Sequence, residues 1–237
     1  MVDYQLHPLG DRAVMIELGS SISADILRKL QVFTTYLEEH PPEWLIEYIP
    51  AFTTLAIFYE PMIISKQCNF CRLPYDVVCE FIKDIFLKLA VHNVVHSRVI
   101  EIPVCYGGEL GPDLETVANI NGLTVDEVIQ IHSTGDYIVY MIGFAPGFPY
   151  IGGMSEKIAA PRLETPRLKI PERSVGIAGM QTGIYPIATP GGWQLIGRTP
   201  LRLFNPENEQ PSLLQAGDKI RFRPISRAEY LELEQEG

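Results

Sequence analysis

The sequence is short of what several large classes of protein require. No apolar run approaches the roughly 18–20 residues of a membrane span, and Met1 to His7 (MVDYQLH) has neither the basic stretch nor the apolar core of a secretion signal. A cytoplasmic location is the expectation. Only four cysteines (Cys68, Cys71, Cys79, Cys105) occur in 237 residues, too few for a disulfide scaffold, so thiols in a reducing compartment are expected. Positive charge is scarce too: 19 Lys and Arg against 29 Asp and Glu leave a formal charge of −10, which repels phosphate backbones and anionic lipid. Neither nucleic acid nor membrane is an expected partner. Catalytic signatures are also missing, with no G-x-x-x-x-G-K-[ST] loop, no G-x-G-x-x-G after a strand, no G-x-S-x-G elbow and no H-E-x-x-H helix. Cys105 trails an apolar strand with no histidine near it in sequence and reads as a buried thiol, so no catalytic residue is assigned.

What is present is a foldable chain, 46% hydrophobic and 20% charged, long enough for two modest domains. Asp11–Leu18 reads as a strand, and Ile22, Ile26, Leu27, Leu30, Phe33 and Leu37 recur at helical spacing until His40-Pro41-Pro42 stops the helix. Two β-rich runs, Trp44–Ile49 and Thr53–Tyr59, predict a hairpin. A second helical stripe runs from Val77 to Leu89, and Arg98–Val104 predicts a further strand. The order βαββαβ is that of a ferredoxin-like α/β domain, placed at residues 1–101.

Cys68-x-x-Cys71 upstream of His92-x-x-x-His96 superficially matches a zinc pattern. The pairs flank the helix of residues 75–91, which at 1.5 Å per residue separates them by roughly 25 Å, so no metal site is expected.

In the second half, Asp113 can cap a short helix over Leu114–Ile120, and Thr124-Val125-Asp126-Glu127 is a capping box opening a helix through His132. His132 in its last turn reads as a dipole-favoured cap. Short strands follow at 137–144, 174–181, 185–189, 193–199, 201–204 and 219–225, the signature of a β-barrel or sandwich over residues 102–237. Ser226-x-x-Glu229 opens a polar C-terminal helix expected to be a solvated face.

The window from Gly143 to Pro200 holds 10 of the 19 glycines and 8 of the 19 prolines, which marks irregular loops held by strands. Six basic residues face three acidic ones there, a cationic island in an acidic protein. Arg162 and Arg167 each follow a proline of fixed φ, and with Arg198 they form a candidate clamp for a small carboxylate or phosphate. Gln181 and Tyr185 can supply oriented polar groups; Phe144, Phe148, Tyr150, Pro190 and Trp193 can wall the pocket or meet a partner. Taken singly, each reads equally well as a solvated loop charge or a core aromatic.

The segments IPVCYGGELGPDLETVA (102–118), YMIGFAPGFPYIGGM (140–154), APRLETPRLKIPERSVGIAGMQTGIYPIATPGGWQLIGRTP (160–200) and LLQAGDKIRFRPI (213–225) closely resemble the allophanate hydrolase subunit 1 family. HPLGDRAVMIELG (7–19) and IEYIPAFTTLAIFY (46–59) extend the likeness over nearly the whole chain. The family's branches include B subunits of ATP-dependent 5-oxoprolinases and KipI-type inhibitors of a sporulation sensor histidine kinase. The resemblance implies a ferredoxin-like N-terminal domain and a cyclophilin-like barrel. It also implies action with subunits C and A in opening 5-oxo-L-proline to L-glutamate, with ATP used through the complex and bound by an unrelated motif or by a partner, or docking on a sensor histidine kinase through an exposed groove using Phe148, Tyr150 or Trp193. A urea-derived substrate is a third implication. Prolyl isomerase activity does not follow from the fold.

Overall fold

Helix α1 (Ala24–Glu39) starts where Ser23 Oγ accepts the Ile26 N–H at 3.2 Å, and it buries Ile26, Leu27, Leu30, Phe33 and Leu37 on one stripe. The computed structural model describes residues 4–21, 23–89 and 98–236, so Ile22, His92 and His96 lie outside the described residues. The chain divides into two units, Met1–His96 and Ser97–Gly237, each with its own core. The first unit is an antiparallel sheet of β1 (Gln5–Pro8), β2 (Ala13–Glu17), β3 (Leu45–Pro50) and β4 (Thr54–Tyr59) in the order β1-β2-β4-β3. With it go α1, the short α2 (Pro61–Gln67) and α3 (Pro74–Leu89), whose Val78, Ile82, Ile85 and Phe86 share a core with Val14, Ile16, Leu55 and Ile57.

The expected βαββαβ order fails at both ends. Residues 98–104, expected as its last strand, belong to β5 (Val99–Tyr106), which pairs in parallel with β13 (Lys219–Pro224) and antiparallel with β12 (Gln194–Arg198), within the second unit. The sheet edge beside β2 is taken by β1, a strand too brief to show a periodicity and closed by Pro8, which an edge position tolerates. Alternating apolar residues announce a strand but not its partner, because pairing is decided by contacts distant in sequence.

The second unit is a closed barrel in the order β10-β7-β6-β13-β5-β12-β9, β9 pairing back to β10. Its remaining strands are β6 (Tyr137–Ile142), β7 (Pro149–Gly152), β9 (Ser174–Ala178) and β10 (Gln181–Ile184); β8 (Arg167–Ile170) and β11 (Thr189–Gly191) form a separate two-stranded ribbon. Helices α4 (Leu114–Asn121) and α5 (Val125–Ser133) add Leu114, Val117, Ala118 and Val128 to the core built by Val104, Val139, Ile177, Ile196 and Phe222. The expected strand at 174–181 is broken into a hairpin at Gly179, whose φ of +58° turns the chain. Residues 185–188 link β10 to β11, with Thr189 already the first residue of β11, and 201–204 contribute only the bridge between Phe204 and Ser212. Pro186 removes a ladder donor from the first segment, and Pro200 stands just before the second.

Thr124 and Glu127 form the complete capping box. Thr124→Ala is expected to cost about 1 kcal/mol and lower the thermal midpoint by roughly 2–4 °C, measured by calorimetry. At helix α6 (Arg227–Glu236) the box is half made: Ser226 accepts the Glu229 N–H, but the Glu229 carboxylate pairs with Arg223 at 2.7 Å. Nor is α6 wholly solvated, since Tyr230 is buried with Cys105 and Ile225, and Glu234 pairs with Arg173 at 3.1 Å. Burial pushes the Cys105 thiol pKa up, which keeps it protonated.

His132 is not a solvated helix cap. It is fully buried, its Nδ1 2.7 Å from the Tyr106 hydroxyl and its Nε2 2.9 Å from Thr182 Oγ1. Thr182 donates its own proton to the Gly176 carbonyl, so it accepts from Nε2–H, which leaves Nδ1 to accept from Tyr106. Every polar atom of the chain of three is thereby used, and burial pulls the imidazole pKa down to about 3. Among the described residues, no helix is long and apolar enough to cross a membrane.

Candidate functional site

A cavity of about 280 Å³ opens between the ribbon and the barrel loop that follows β6. Phe148, buried at the end of that loop, is the centre of its wall. Phe144, Tyr150, Tyr185 and Trp193 all meet it edge to face, with ring centroids 5.2–5.8 Å away. Ile170, Ala178 and Leu195 pack with Phe148, Tyr185 and Trp193 in a small core of their own. Pro190, Gly191 and Gly192 complete the lining, and a Cβ on Gly191 would stand 2.5 Å from the Tyr185 hydroxyl. Only glycine allows the phenol to come so close to the ribbon.

Phe144 differs from the other rings. It is 73% exposed and has a φ of +69°, with the Ala145 N–H bonded to the Gly143 carbonyl at 2.8 Å in a γ-turn. A bulky side chain in this conformation costs on the order of 1–3 kcal/mol. Bonds from Gly143 N–H to Phe148 O and from Phe148 N–H to Ala145 O, both 3.0 Å, lock the loop and hold the ring at the cavity rim.

Two polar groups face this aromatic wall. Arg162 lines the cavity from a backbone pinned on both sides: the Pro161 carbonyl accepts Gln194 Nε2 at 3.0 Å, and the Leu163 N–H donates to the Gly192 carbonyl at 2.7 Å. Arg162 itself is exposed. Burial pushes the Tyr185 phenol pKa up to about 12, against a hydrogen bond with the Trp193 backbone and the charges of Arg162 and Arg167, which act in the opposite sense. Near neutrality it is therefore a protonated donor.

The remaining expected ligand-binding residues do not line the cavity. Arg167 is held instead by Asp113, Nη2 2.7 Å from its Oδ1, and its Nη1 is 3.5 Å from the Trp193 carbonyl. Arg198 is held on the Glu172 carbonyl at 2.9 Å, and its charge acts on Tyr230 instead. Gln181 is half-buried opposite Ala178 in the β9–β10 ladder. The three arginines thus diverge, because Arg167 and Arg198 go to protein acceptors while Arg162 lines the cavity. Phe148 and Trp193, expected in an exposed docking groove, are 2% and 6% exposed and belong to the wall.

Asp113 escaped the sequence reading as a site residue. Its carboxylate leaves α4 uncapped and binds the Leu195 N–H at 2.6 Å as well as Arg167. No local pattern could reveal a contact spanning 82 positions. Among the described residues no group of three or more His, Cys, Asp or Glu side chains could hold a metal ion. A second concavity of about 890 Å³ lies along β5 and β13, but its cations are partly matched by acids, with Arg223 paired to Glu101 and Glu229.

The second unit is thus a closed β-barrel with an aromatic cavity that Arg162 also lines, and the first is a separate α+β unit. The family described as "Carboxyltransferase domain, subdomain C and D" matches residues 4–214, and the chain belongs to that family. It is 51% identical to the 5-oxoprolinase B subunit of Bacillus subtilis (strain 168) over 97% of this chain and 96% of that one, and 56% identical to the 5-oxoprolinase B subunit of Escherichia coli O157:H7 over 91% and 94%. Among solved structures, the conserved uncharacterized protein PH0987 from Pyrococcus horikoshii is 46% identical over 95% of this chain and all of its own, with a TM-score of 0.55. TTHA0988 is 33% identical with a TM-score of 0.74, covering 91% of this chain but 40% of its own. The Kluyveromyces lactis urea carboxylase, at 17% identity and a TM-score of 0.68, shares the fold.

Proposed function

We propose that this chain serves as the B subunit of an ATP-dependent 5-oxoprolinase, acting with subunits C and A to open 5-oxo-L-proline to L-glutamate. The observation that carries this reading beyond the family match is the cavity that combines Arg162, the Tyr185 phenol and flat aromatic walls. A five-membered lactam bearing one carboxylate matches each feature: the guanidinium forks the carboxylate, the rings sandwich the flat ring, and the phenol donates to the lactam carbonyl, polarising it. At about 280 Å³ the cavity falls below the range of about 300–1,000 Å³ that holds drug-sized ligands. No step through ATP is assigned to this chain.

In this reading the N-terminal unit is a ferredoxin-like layer whose edge strand comes from the chain's own start, and it serves partner docking in the cytoplasm. For the kinase-docking alternative, Phe148 and Trp193 are buried, Tyr150 is half-buried, and Phe144 and Pro190 are the exposed members of the wall. The purified chain alone is expected to turn over no 5-oxoproline, whereas mixing it with subunits C and A restores ATP-dependent glutamate release. Equal release from C and A without this chain would refute the assignment.

A further inference from the structure

We infer that Asp113 is a positioning residue for the cavity, holding Arg167 and the Trp193–Leu195 backbone where they set the Trp193 ring and the Tyr185 hydroxyl against Arg162. The inference rests on the functional reading of that cavity given above. Asp113 stands at the N-cap of α4, where an aspartate ordinarily accepts an N–H of its own first turn, and it makes no such bond. Its oxygens go elsewhere: Oδ2 accepts the Leu195 N–H at 2.6 Å and Oδ1 accepts Arg167 Nη2 at 2.7 Å, while its own N–H donates to the Leu195 carbonyl at 2.9 Å. Leu195 is thus clasped from both sides by one residue.

Arg167 extends the clasp. Its backbone stands opposite Gly191 in the ribbon, and its second guanidinium nitrogen reaches the Trp193 carbonyl. A single carboxylate therefore ties together helix α4, barrel strand β12 and the β8–β11 ribbon, and residues 191–193 of that span line the cavity. The Asp113 side chain is almost buried, so the pair has the low-dielectric setting in which a charge-assisted bond fixes geometry strongly. The pairing also divides the labour between two arginines that look alike in sequence. Arg167 is engaged by a protein carboxylate, which leaves Arg162 for the ligand's. Asp113 itself does not line the cavity and acts through Arg167 and the strand.

The test uses the complex with subunits C and A and the isolated chain in parallel. Asp113→Asn keeps the shape of the side chain but removes the charge on which Arg167 rests. It is expected to raise the KM for 5-oxoproline about tenfold, with kcat changed less than about threefold, since a loosened wall weakens binding first. Arg167→Gln should give a similar rise, and the double variant should be no worse than either single one, because both remove the same contact. Trp44 and Trp193 are the only tryptophans. In a Trp44→Phe background, Trp193 emission should shift to longer wavelength in Asp113→Asn. A KM within twofold of wild type with unchanged Trp193 emission, or effects that multiply in the double variant, would overturn the inference. Should Asp113→Asn not fold, Arg167→Lys, which keeps the charge and loses the fork, must show the same KM rise. If the wild-type complex does not cleave 5-oxoproline, the functional reading fails instead, and the Trp193 emission of the isolated chain alone decides the role of Asp113.

Discussion

Alanine at Arg162 is expected to raise the KM for 5-oxoproline in the assembled complex by about 10- to 100-fold, the loss of a hydrogen-bonded charge pair worth roughly 1.5–3 kcal/mol. Of the three arginines proposed for the anion, Arg162 alone lines the cavity; Arg167 is engaged by Asp113 and Arg198 by the Glu172 carbonyl. The pinning of Pro161 and Leu163 means that little ordering remains to be done when the ligand arrives, so the whole interaction goes into binding. Arg162→Lys should recover part of the affinity, because an ammonium keeps the charge but not the planar fork. Arg198→Ala should leave KM within about twofold of wild type by the same reasoning. Steady-state kinetics on the three variants settles the matter, and an unaltered KM in Arg162→Ala would remove the cavity as the substrate site.

The second large effect concerns pH. His132 is held neutral in the fold with a pKa of about 3, against about 6.5 in the unfolded chain. The depressed folded value means that the unfolded state takes up a proton as pH drops below about 6.5 while the folded state does not, so stability is full above that pH and declines down to about 3. The slope is about 1.4 kcal/mol per pH unit for this one group, which amounts to about 2 kcal/mol between pH 7.5 and 5. Urea denaturation at those two pH values should show the loss in the wild type and a loss smaller by about that amount in His132→Gln. The variant should start less stable, since Tyr106 and Thr182 lose their shared partner. Identical pH dependence in the two proteins would show that the imidazole charges in the folded state.

Much of this molecule is legible in the order of its residues. The stripe ending at Leu37 and the Thr124–Glu127 box are local codes, read by a few neighbouring residues, and both elements form within a residue or two of the expected bounds. The pocket wall is legible for a related reason: glycines, prolines and aromatics crowd into one window, and a cavity needs walls and bends close together. Phe144, Phe148, Tyr150, Arg162, Tyr185, Pro190 and Trp193 do share one cavity. By contrast, the destiny of 98–104 is not legible, since an alternating strand fits any sheet and its partner β13 lies some 120 positions away.

The amino-acid sequence by itself determined where α1, α3 and α5 and the strands β2 to β6, β12 and β13 lie, that an acidic chain carries one cationic, ring-rich window, and to which family the residues belong. These properties are written in spacing and composition, which short-range sterics and burial translate directly. The tertiary structure alone decided which arginine is free. Three guanidinium groups of equal chemistry are sorted only by the acceptors that folding brings beside them, Asp113 from a helix start and the Glu172 carbonyl from a turn. Likewise His132 became a neutral buried link rather than a surface cap, because its environment was assembled from Tyr106 and Thr182, residues 26 and 50 positions away.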